Sequence, residues 1–409
     1  MDFEDSPAEA AFRKEARAWL GRNAPLAART DGPRAMFTSR GAADLPEARR
    51  FQQLLADARL TAITWPKEYG GRGGTVLEQV IFEEEAAPYD LPTSIFMVGM
   101  GLAGPTIIAH GTGEQKRRFL GPMLRGEEVW CQLFSEPGAG SDLAGMRTRA
   151  VRDGDTWVVS GQKVWNSGAQ YSGWGIMPVR TDPDQPKHRG ISYFLVDMGT
   201  PGIDVRPLRQ MTGDAHFCEV FLDEVPIPAE NLLGELNGGW AVTQTTLMNE
   251  RMMIGGGGMG IDPAWLIELA RGMSRGTGAA STDPLVRQQL ADVYIRVELI
   301  RYLRFRTLTA LGRGEVPGPE GSIIKLAMGQ LLKRVGDLSL GIQGPNGAML
   351  NGSAPAGGAW QLSFLASPSI RIAGGSDEIQ RNIIGERVLG LPREPDPNRQ
   401  LPFAQYASA

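Results

Sequence analysis

The chain has 409 residues, a length that suits about two or three domains. Hydrophobic residues make up 42% and charged residues 22%, and the net charge is −4, so nothing in the balance favours nucleic acid or a membrane surface as a partner. Only Cys131 and Cys218 are present, which excludes a disulfide framework, points to a reducing compartment and leaves a single bridge between them open.

The start, Met1-Asp-Phe-Glu-Asp-Ser-Pro-Ala-Glu9, is acidic and has neither an apolar signal core nor the Arg-rich character of a transit peptide. No later run approaches the roughly 18 apolar residues of a transmembrane segment, so the expected location is cytoplasmic. Up to about Glu128 the texture is helical. Phe12, Ala16, Trp19 and Leu20 fall at helical spacing within Pro7 to Arg22, and Phe51 to Leu60 repeats the style. Trp65 to Gly74 is an irregular break, Glu78 to Ala87 a helix ended with the help of Pro88, and Gly113 to Leu120 a short amphipathic helix.

From about Val129 to Gly239 the texture is β. Asp153-Gly154 is a hairpin signal between Arg149-Ala-Val and Thr156-Trp-Val-Val. Ile191 to Val196 and Glu219 to Leu222 read as strands, and the block as a small barrel or sandwich. Helical texture returns at Trp240, with long helices predicted over Leu285 to Leu311 and Ser322 to Leu340. Gly352 to Gly358 is a loop, Ser376 to Leu389 an amphipathic helix, and the Pro-rich end from Leu391 an extended tail. The reading is an α+β chain with domains at 1–128, 129–240 and 241–409.

Several motifs carry little weight. His110, His188 and His216 stand far apart and form no close metal-ligand motif with the cysteines, so no metal is expected. No Gly-x-Ser-x-Gly elbow occurs. Gly99-Met-Gly-Leu-Ala-Gly104 and Gly255-Gly-Gly-Gly-Met-Gly260 satisfy the dinucleotide glycine pattern, but neither shows the strand, crossover helix and acidic residue that pattern needs. Small residues there are better read as allowing helices or a ligand to approach closely.

The most informative stretch is Gln132-Leu-Phe-Ser-Glu-Pro-Gly-Ala-Gly-Ser-Asp-Leu-Ala-Gly145, with three glycines, a proline and five hydrogen-bonding side chains. Its composition fits the end of a strand opening into a ligand-lining loop, with an ordinary surface turn as the plainer alternative. The order of residues resembles the flavin-binding signature of the acyl-CoA dehydrogenase family. Further blocks extend the resemblance over most of the chain: Gly111-Thr-Gly-Glu-Gln-Lys-Arg-Arg-Phe-Leu120, Gly161-Gln-Lys-Val-Trp-Asn-Ser-Gly168, Asp223-Glu-Val-Pro-Ile-Pro-Ala-Glu-Asn-Leu-Leu-Gly234 and Gly374-Gly-Ser-Asp-Glu-Ile-Gln-Arg-Asn-Ile-Ile-Gly385.

The resemblance implies an N-terminal all-α domain, a middle β-barrel domain and a C-terminal four-helix-type α domain. FAD would lie between the β-domain and the C-terminal helices. It also implies a homodimer or homotetramer, with a hetero-oligomer as a further possibility, and electron-transfer flavoprotein as the acceptor. Mapped by residue, Phe134, Ser135, Trp165, Asn166 and Ser167 would contact the flavin, and Ser141 the substrate or flavin side of the cleft. Asn166 is not the commonest residue at its position, and core packing is the alternative for Trp165. Gly341, Gly344, Pro345, Ser376 and Glu378 match C-terminal cofactor contacts, the first three mostly through backbone.

The implied reaction is α,β-dehydrogenation of an acyl-CoA thioester, in which a carboxylate removes the α-proton and the flavin takes the β-hydride. Many members place that carboxylate in the C-terminal motif, where this chain has Gly374. Another group places it on an earlier helix directly before an Arg, and here Leu247-Met-Asn-Glu-Arg-Met matches. Glu250 is therefore the expected base, with a solvated Glu-Arg pair as the alternative, and Arg251 would help hold substrate or base. Gly374 and Gly375 would adjoin the acyl group. Loss of a side chain at 374 suggests room for a branched, long or polycyclic substrate, so Gly374→Val should impair bulky substrates more than short ones. The usual Arg and aromatic-Gly contact to a neighbour's FAD is missing, and Arg275 is the residue that would replace it. Competing readings are an oxygen-using flavin oxidase or monooxygenase of the same fold, and a non-catalytic subunit of a hetero-oligomeric dehydrogenase.

Overall fold

The structure is a computed structural model and describes residues 5–26, 41–256, 261–313 and 318–406. Its helices are α1 (Pro7–Asn23), α2 (Leu45–Asp57), α3 (Val76–Ala86), α4 (Gly104–His110), α5 (Gly113–Leu124), α6 (Gly239–Gly256), α7 (Pro263–Gly272), α8 (Pro284–Gly312), α9 (Gly321–Gln343), α10 (Ala359–Ile370), α11 (Asp377–Ile383) and α12 (Phe403–Tyr406). The strands are β1 (Trp130–Gln132), β2 (Arg149–Asp153), β3 (Thr156–Val164), β4 (Trp174–Arg180), β5 (Ile191–Asp197), β6 (Ile203–Leu208), β7 (Phe217–Pro228) and a small pair, β8 (Ser274–Arg275) and β9 (Gly278–Ala279). They fall into two compact units. One holds α1, α3 and Arg251–Pro392; the other holds α2, Leu91–Glu250 and the C-terminal segment from Arg393.

In the first unit, α1 starts at a capping box in which Ser6 and Glu9 satisfy each other's backbone N–H groups, with Pro7 preset for the first turn. Phe12, Ala16 and Leu20 lie on one face and are buried, while Arg13 reaches Glu84 and Glu85 on α3 at 3.1 and 3.2 Å. Along α8, Val286, Val293 and Ile300 recur every two turns and bury against Ile324, Leu331 and Val335 of α9. Burial of each such side chain contributes about 1.5–3 kcal/mol.

In the second unit, seven strands form one curled sheet, a half-barrel. β5 runs along one edge of β4, with β1 and the start of β2 on the other, and the order continues through β3 and β7 to β6. β2 and β3 form the expected hairpin, with Asp153 paired to Thr156 and Gly154 at φ +58° in the turn. β4 and β5 are buried on both faces and therefore lack the polar alternation that marks a half-exposed strand, which is why β4 left no clear sequence signal. Cys131 and Cys218 are both buried and both free, so the bridge left open by the sequence is not formed.

Two further expectations change in detail, and the close-approach reading of the first glycine run becomes specific. The helix expected from Phe51 begins at Leu45 and ends at Asp57, because Arg59 turns into the left-handed region at φ +53°. Gly99 to Gly104 is helical, and a Cβ at Gly104 would lie 2.1 Å from the Trp65 ring, so this glycine serves close packing. The glycines at 257–260 of the second dinucleotide-like run lie outside the described residues. The tail is extended only in part, since Phe403 begins α12 and is buried.

Candidate active site

In the second unit, the Gln132–Gly145 stretch leaves β1 and is fixed from below by a buried ion pair. Lys163 of β3 is fully buried, and its ammonium donates to the carbonyls of Phe134 (3.1 Å) and Pro178 (2.9 Å) and to the Glu136 carboxylate (2.9 Å). Glu136 also accepts from the backbone N–H groups of Arg147 (2.6 Å) and Thr148 (3.0 Å). Burial pushes the Glu136 carboxyl up, but the Lys163 ammonium and these N–H donors outweigh it and hold the group below the usual carboxylate range. The Ser135 carbonyl accepts from Val164 N–H at 2.8 Å, so the turn is pinned on both sides. Phe134 is buried, Ser135 half-buried and Ser141 exposed.

Trp165, at the end of β3, has φ +64° and is 59% exposed, touching Phe217 only edge-on at 5.9 Å between ring centres. Core packing therefore does not account for it. A bulky residue held in left-handed backbone with its ring presented outward is the kind of strain that accompanies binding sites. Its neighbour Asn166 is buried, exchanges backbone hydrogen bonds with Cys218 and donates its side-chain amide to the Gln132 carbonyl at 2.7 Å. Among the described residues the Asn166 Oδ1 has no hydrogen-bond partner. Ser167 is exposed.

Glu250 lies on α6, which hydroxyls anchor to its own unit. Thr246 Oγ1 is 2.9 Å from the buried Tyr193 hydroxyl and 3.0 Å from Thr106 Oγ1, and His110 Nε2 is 2.8 Å from Thr245 Oγ1. Glu250 follows Thr246 by one turn, so the same anchor sets its direction. Its Oε2 accepts from Gln132 Nε2 at 3.5 Å, the outer limit of a hydrogen bond. Asn166, Gln132 and Glu250 thus form one connected line.

The remaining predicted residues belong to the first unit. Gly374 and Gly375 have φ of +65° and +92°, a conformation that glycine adopts without penalty. A Cβ at Gly375 would lie 2.6 Å from Gln380 Nε2. Gln380 donates to the Gly374 (2.8 Å) and Gly375 (3.2 Å) carbonyls, and the buried Lys325 ammonium donates to Gly375 at 2.5 Å. Glycine at 374 therefore has a conformational reason independent of substrate size, so a valine there would strain the turn for any substrate. Ser376 caps α11, and the backbone at Glu378 with the Ser376 hydroxyl holds the Glu378 carboxyl below its usual range. Gly341 and Pro345 are exposed, and Gly344 ends α9 at φ +56°. Arg275 is exposed in the β8–β9 hairpin and pairs with Asp283 at 2.7 Å. Arg251 is half-buried on α6.

Gln132 carries no role in the sequence pattern, and Glu136, Lys163, Thr246, Lys325 and Gln380 were not legible there as functional residues. Glu136 and Lys163 lie inside the quoted stretches, but a Glu and a Lys within β-texture ordinarily mark a solvated face, so nothing local showed that they pair. Lys325 and Gln380 announce themselves only once the chain has folded around the glycine turn.

Family models for the N-terminal, middle and C-terminal domains of acyl-CoA dehydrogenase match residues 6–127, 131–225 and 237–389, in that order. The chain belongs to the acyl-CoA dehydrogenase family. It is an oxidoreductase of that kind. Acyl-CoA dehydrogenase IpdE1 of Mycobacterium tuberculosis is 40% identical over 94% of this chain and 98% of that protein. Acyl-CoA dehydrogenase FadE34 of the same organism is 41% identical over 86% of this chain, which spans 47% of FadE34, about half its length. The solved structure "Tcur3481-Tcur3483 steroid ACAD" is 29% identical, with a TM-score of 0.79, over 96% of this chain and all of that one. Among the described residues no helix is long and apolar enough to cross a membrane.

Membership in this family implies a flavin, and the residues fit one. The second unit offers a half-buried Ser135 hydroxyl, an outward Trp165 ring and an Asn166 oxygen without a partner. Gly138 and Gly140 lie beside them in the loop, where an added Cβ would meet nothing within 4 Å. A large aromatic cofactor with polar edges suits that combination.

Proposed function

We propose that this acyl-CoA dehydrogenase carries out FAD-dependent α,β-dehydrogenation of an acyl-CoA thioester to the trans-2-enoyl-CoA, with Glu250 removing the α-proton. The observation that supports this most is the line from Asn166 through Gln132 to the Glu250 carboxylate, which ties the candidate base to the candidate flavin loop. Gln132 Nε2 reaches the Glu250 carboxylate at 3.5 Å and so helps to orient it toward the loop. A positioned base of this kind contributes about 10²–10⁴-fold. Bound, FAD supplies the acceptor for the β-hydride.

Phe134, Ser135, Trp165, Asn166 and Ser167 would hold the cofactor, with Gly341, Gly344, Pro345, Ser376, Glu378 and Arg275 as the second set of contacts. Ser141, Arg251, Gly374 and Gly375 would contact substrate. A backbone N–H of the glycine turn, rigidly oriented by Gln380 and Lys325, would polarise the thioester oxygen as negative charge develops there. A bulky, polycyclic acyl group is the proposed substrate class, supported by the steroid-type relative. The electron acceptor would be electron-transfer flavoprotein. Assembly would be a homodimer or homotetramer, or a pair of unlike chains, as the double name of the Tcur3481-Tcur3483 protein illustrates.

Anaerobic titration with a panel of straight-chain and polycyclic acyl-CoA thioesters tests the proposal. Flavin absorbance should bleach, and bleach at lower concentration with the polycyclic thioesters. A coloured protein that no thioester bleaches, or a colourless one, would overturn it. Rapid recolouring in air would move the reading to an oxidase.

A further inference from the structure

The C-terminal segment from Arg393 belongs to the second unit and does more there than trail. Pro402 forms a bridge with Pro186, Phe403 N–H donates to the Gln185 carbonyl and Ala404 N–H to the Pro183 carbonyl, both at 2.9 Å. These contacts seat the buried Phe403 ring against the Arg180 guanidinium, 3.8 Å from its carbon to the ring centre. Arg180 ends β4 and is only 3% exposed. It donates to the Lys187 carbonyl at 2.7 Å and to the Ala144 carbonyl at 2.5 Å, while its Nε has no partner among the described residues. Lys187 in turn holds the Asp142 carboxylate, 3.0 Å from both oxygens. Two cations therefore grip the segment that follows Ser141 at Asp142 and Ala144.

We infer that the C-terminal segment is a strap, with Phe403 as a positioning residue that acts through Arg180 to fix the Ser141–Gly145 loop. A guanidinium facing water would exchange the Ala144 carbonyl for solvent at little cost. Under an aromatic ring, with water excluded, its bonds to Ala144 and Lys187 are strengthened and have no competitor. Arg180 joins the bonding geometry to the stacking face, which a lysine could not do. The consequence for catalysis rests on the functional reading above: a fixed loop holds Ser141 ready for acyl-CoA, so the strap serves binding.

Hydrogen–deuterium exchange on the full-length protein tests the strap without reference to activity. Phe403→Ala should speed exchange at the Gly145 and Met146 amides about tenfold, the scale of a desolvated cation–π contact. Exchange in β5 should stay unchanged, and Phe403→Tyr should behave as wild type. Arg180→Lys should speed the same two amides, and the double variant should add nothing to it. In steady-state assays Phe403→Ala should raise KM for acyl-CoA by about three- to tenfold with kcat within about twofold. Unchanged exchange at 145 and 146, an equal rise in β5, or additive effects in the double variant would overturn the strap. An unchanged KM beside faster exchange would overturn its role in binding. If the wild type reduces no flavin with any acyl-CoA, the functional reading fails, and the exchange experiment still decides the strap.

Discussion

Two turns in this molecule are each held by a buried lysine, and they are held differently. At Phe134–Ser135, Lys163 meets three oxygens, one of them the Glu136 carboxylate, and Glu136 is satisfied in turn by two backbone N–H groups. At Gly374–Gly375, Lys325 and Gln380 reach the turn carbonyls, but Gln380 Oε1 and Asp377 Oδ1 keep no partner among the described residues. The first turn is locked by a closed network of charge. The second owes its shape to left-handed glycines, with polar groups trimming their carbonyls. Closed networks cost most when one member is removed, because the remainder is stranded in low dielectric.

The comparison is broken most directly at Lys163. Lys163→Met strands the Glu136 carboxylate and should destabilise the protein by about 3–5 kcal/mol in urea unfolding. Lys163→Met combined with Glu136→Gln should recover much of that loss. If the pair of changes costs as much as the sum of the single ones, the network is not closed as described. The deficit also depends on pH. Glu136 titrates lower in the folded protein than its unfolded value of about 4.3, so its contribution is complete above that value and fades as pH falls through the folded one. The gap between wild type and Lys163→Met should accordingly narrow in acid.

Lys325→Met removes a charged donor to a backbone carbonyl that Gln380 also serves. It should cost less, about 1.5–3 kcal/mol in the same assay. A loss as large as that of Lys163→Met would erase the contrast between the turns. Smallest is Gly374→Ala, which forces a Cβ into φ +65° at about 1–2 kcal/mol. Thermal unfolding without substrate reads this directly. An alanine variant as stable as wild type would mean that the glycine is retained for substrate space alone.

The α, β, α texture was legible because each region carries its own period, from Phe12-Ala16-Leu20 in the first helix to the Asp153-Gly154 hairpin. β4 was not, since it is buried on both faces and shows no alternation. At the site, the sequence pointed to residues whose order is distinctive. What it could not supply was the support beneath them: Lys163 reaches Phe134 across 29 positions and Lys325 reaches Gly375 across 50. No local pattern marks such long-range pairs. Gly374 shows the converse, a glycine read as space for substrate whose left-handed backbone is a second reason for glycine.

The most direct test of the account is the rate of anaerobic flavin reduction by a saturating acyl-CoA in wild type and Glu250→Gln, followed by stopped-flow absorbance. Glu250 as base predicts full flavin occupancy in both proteins and reduction slowed by about 10²–10⁴-fold in the variant. Reduction at the wild-type rate in Glu250→Gln would contradict it and send the search for the base elsewhere in the chain.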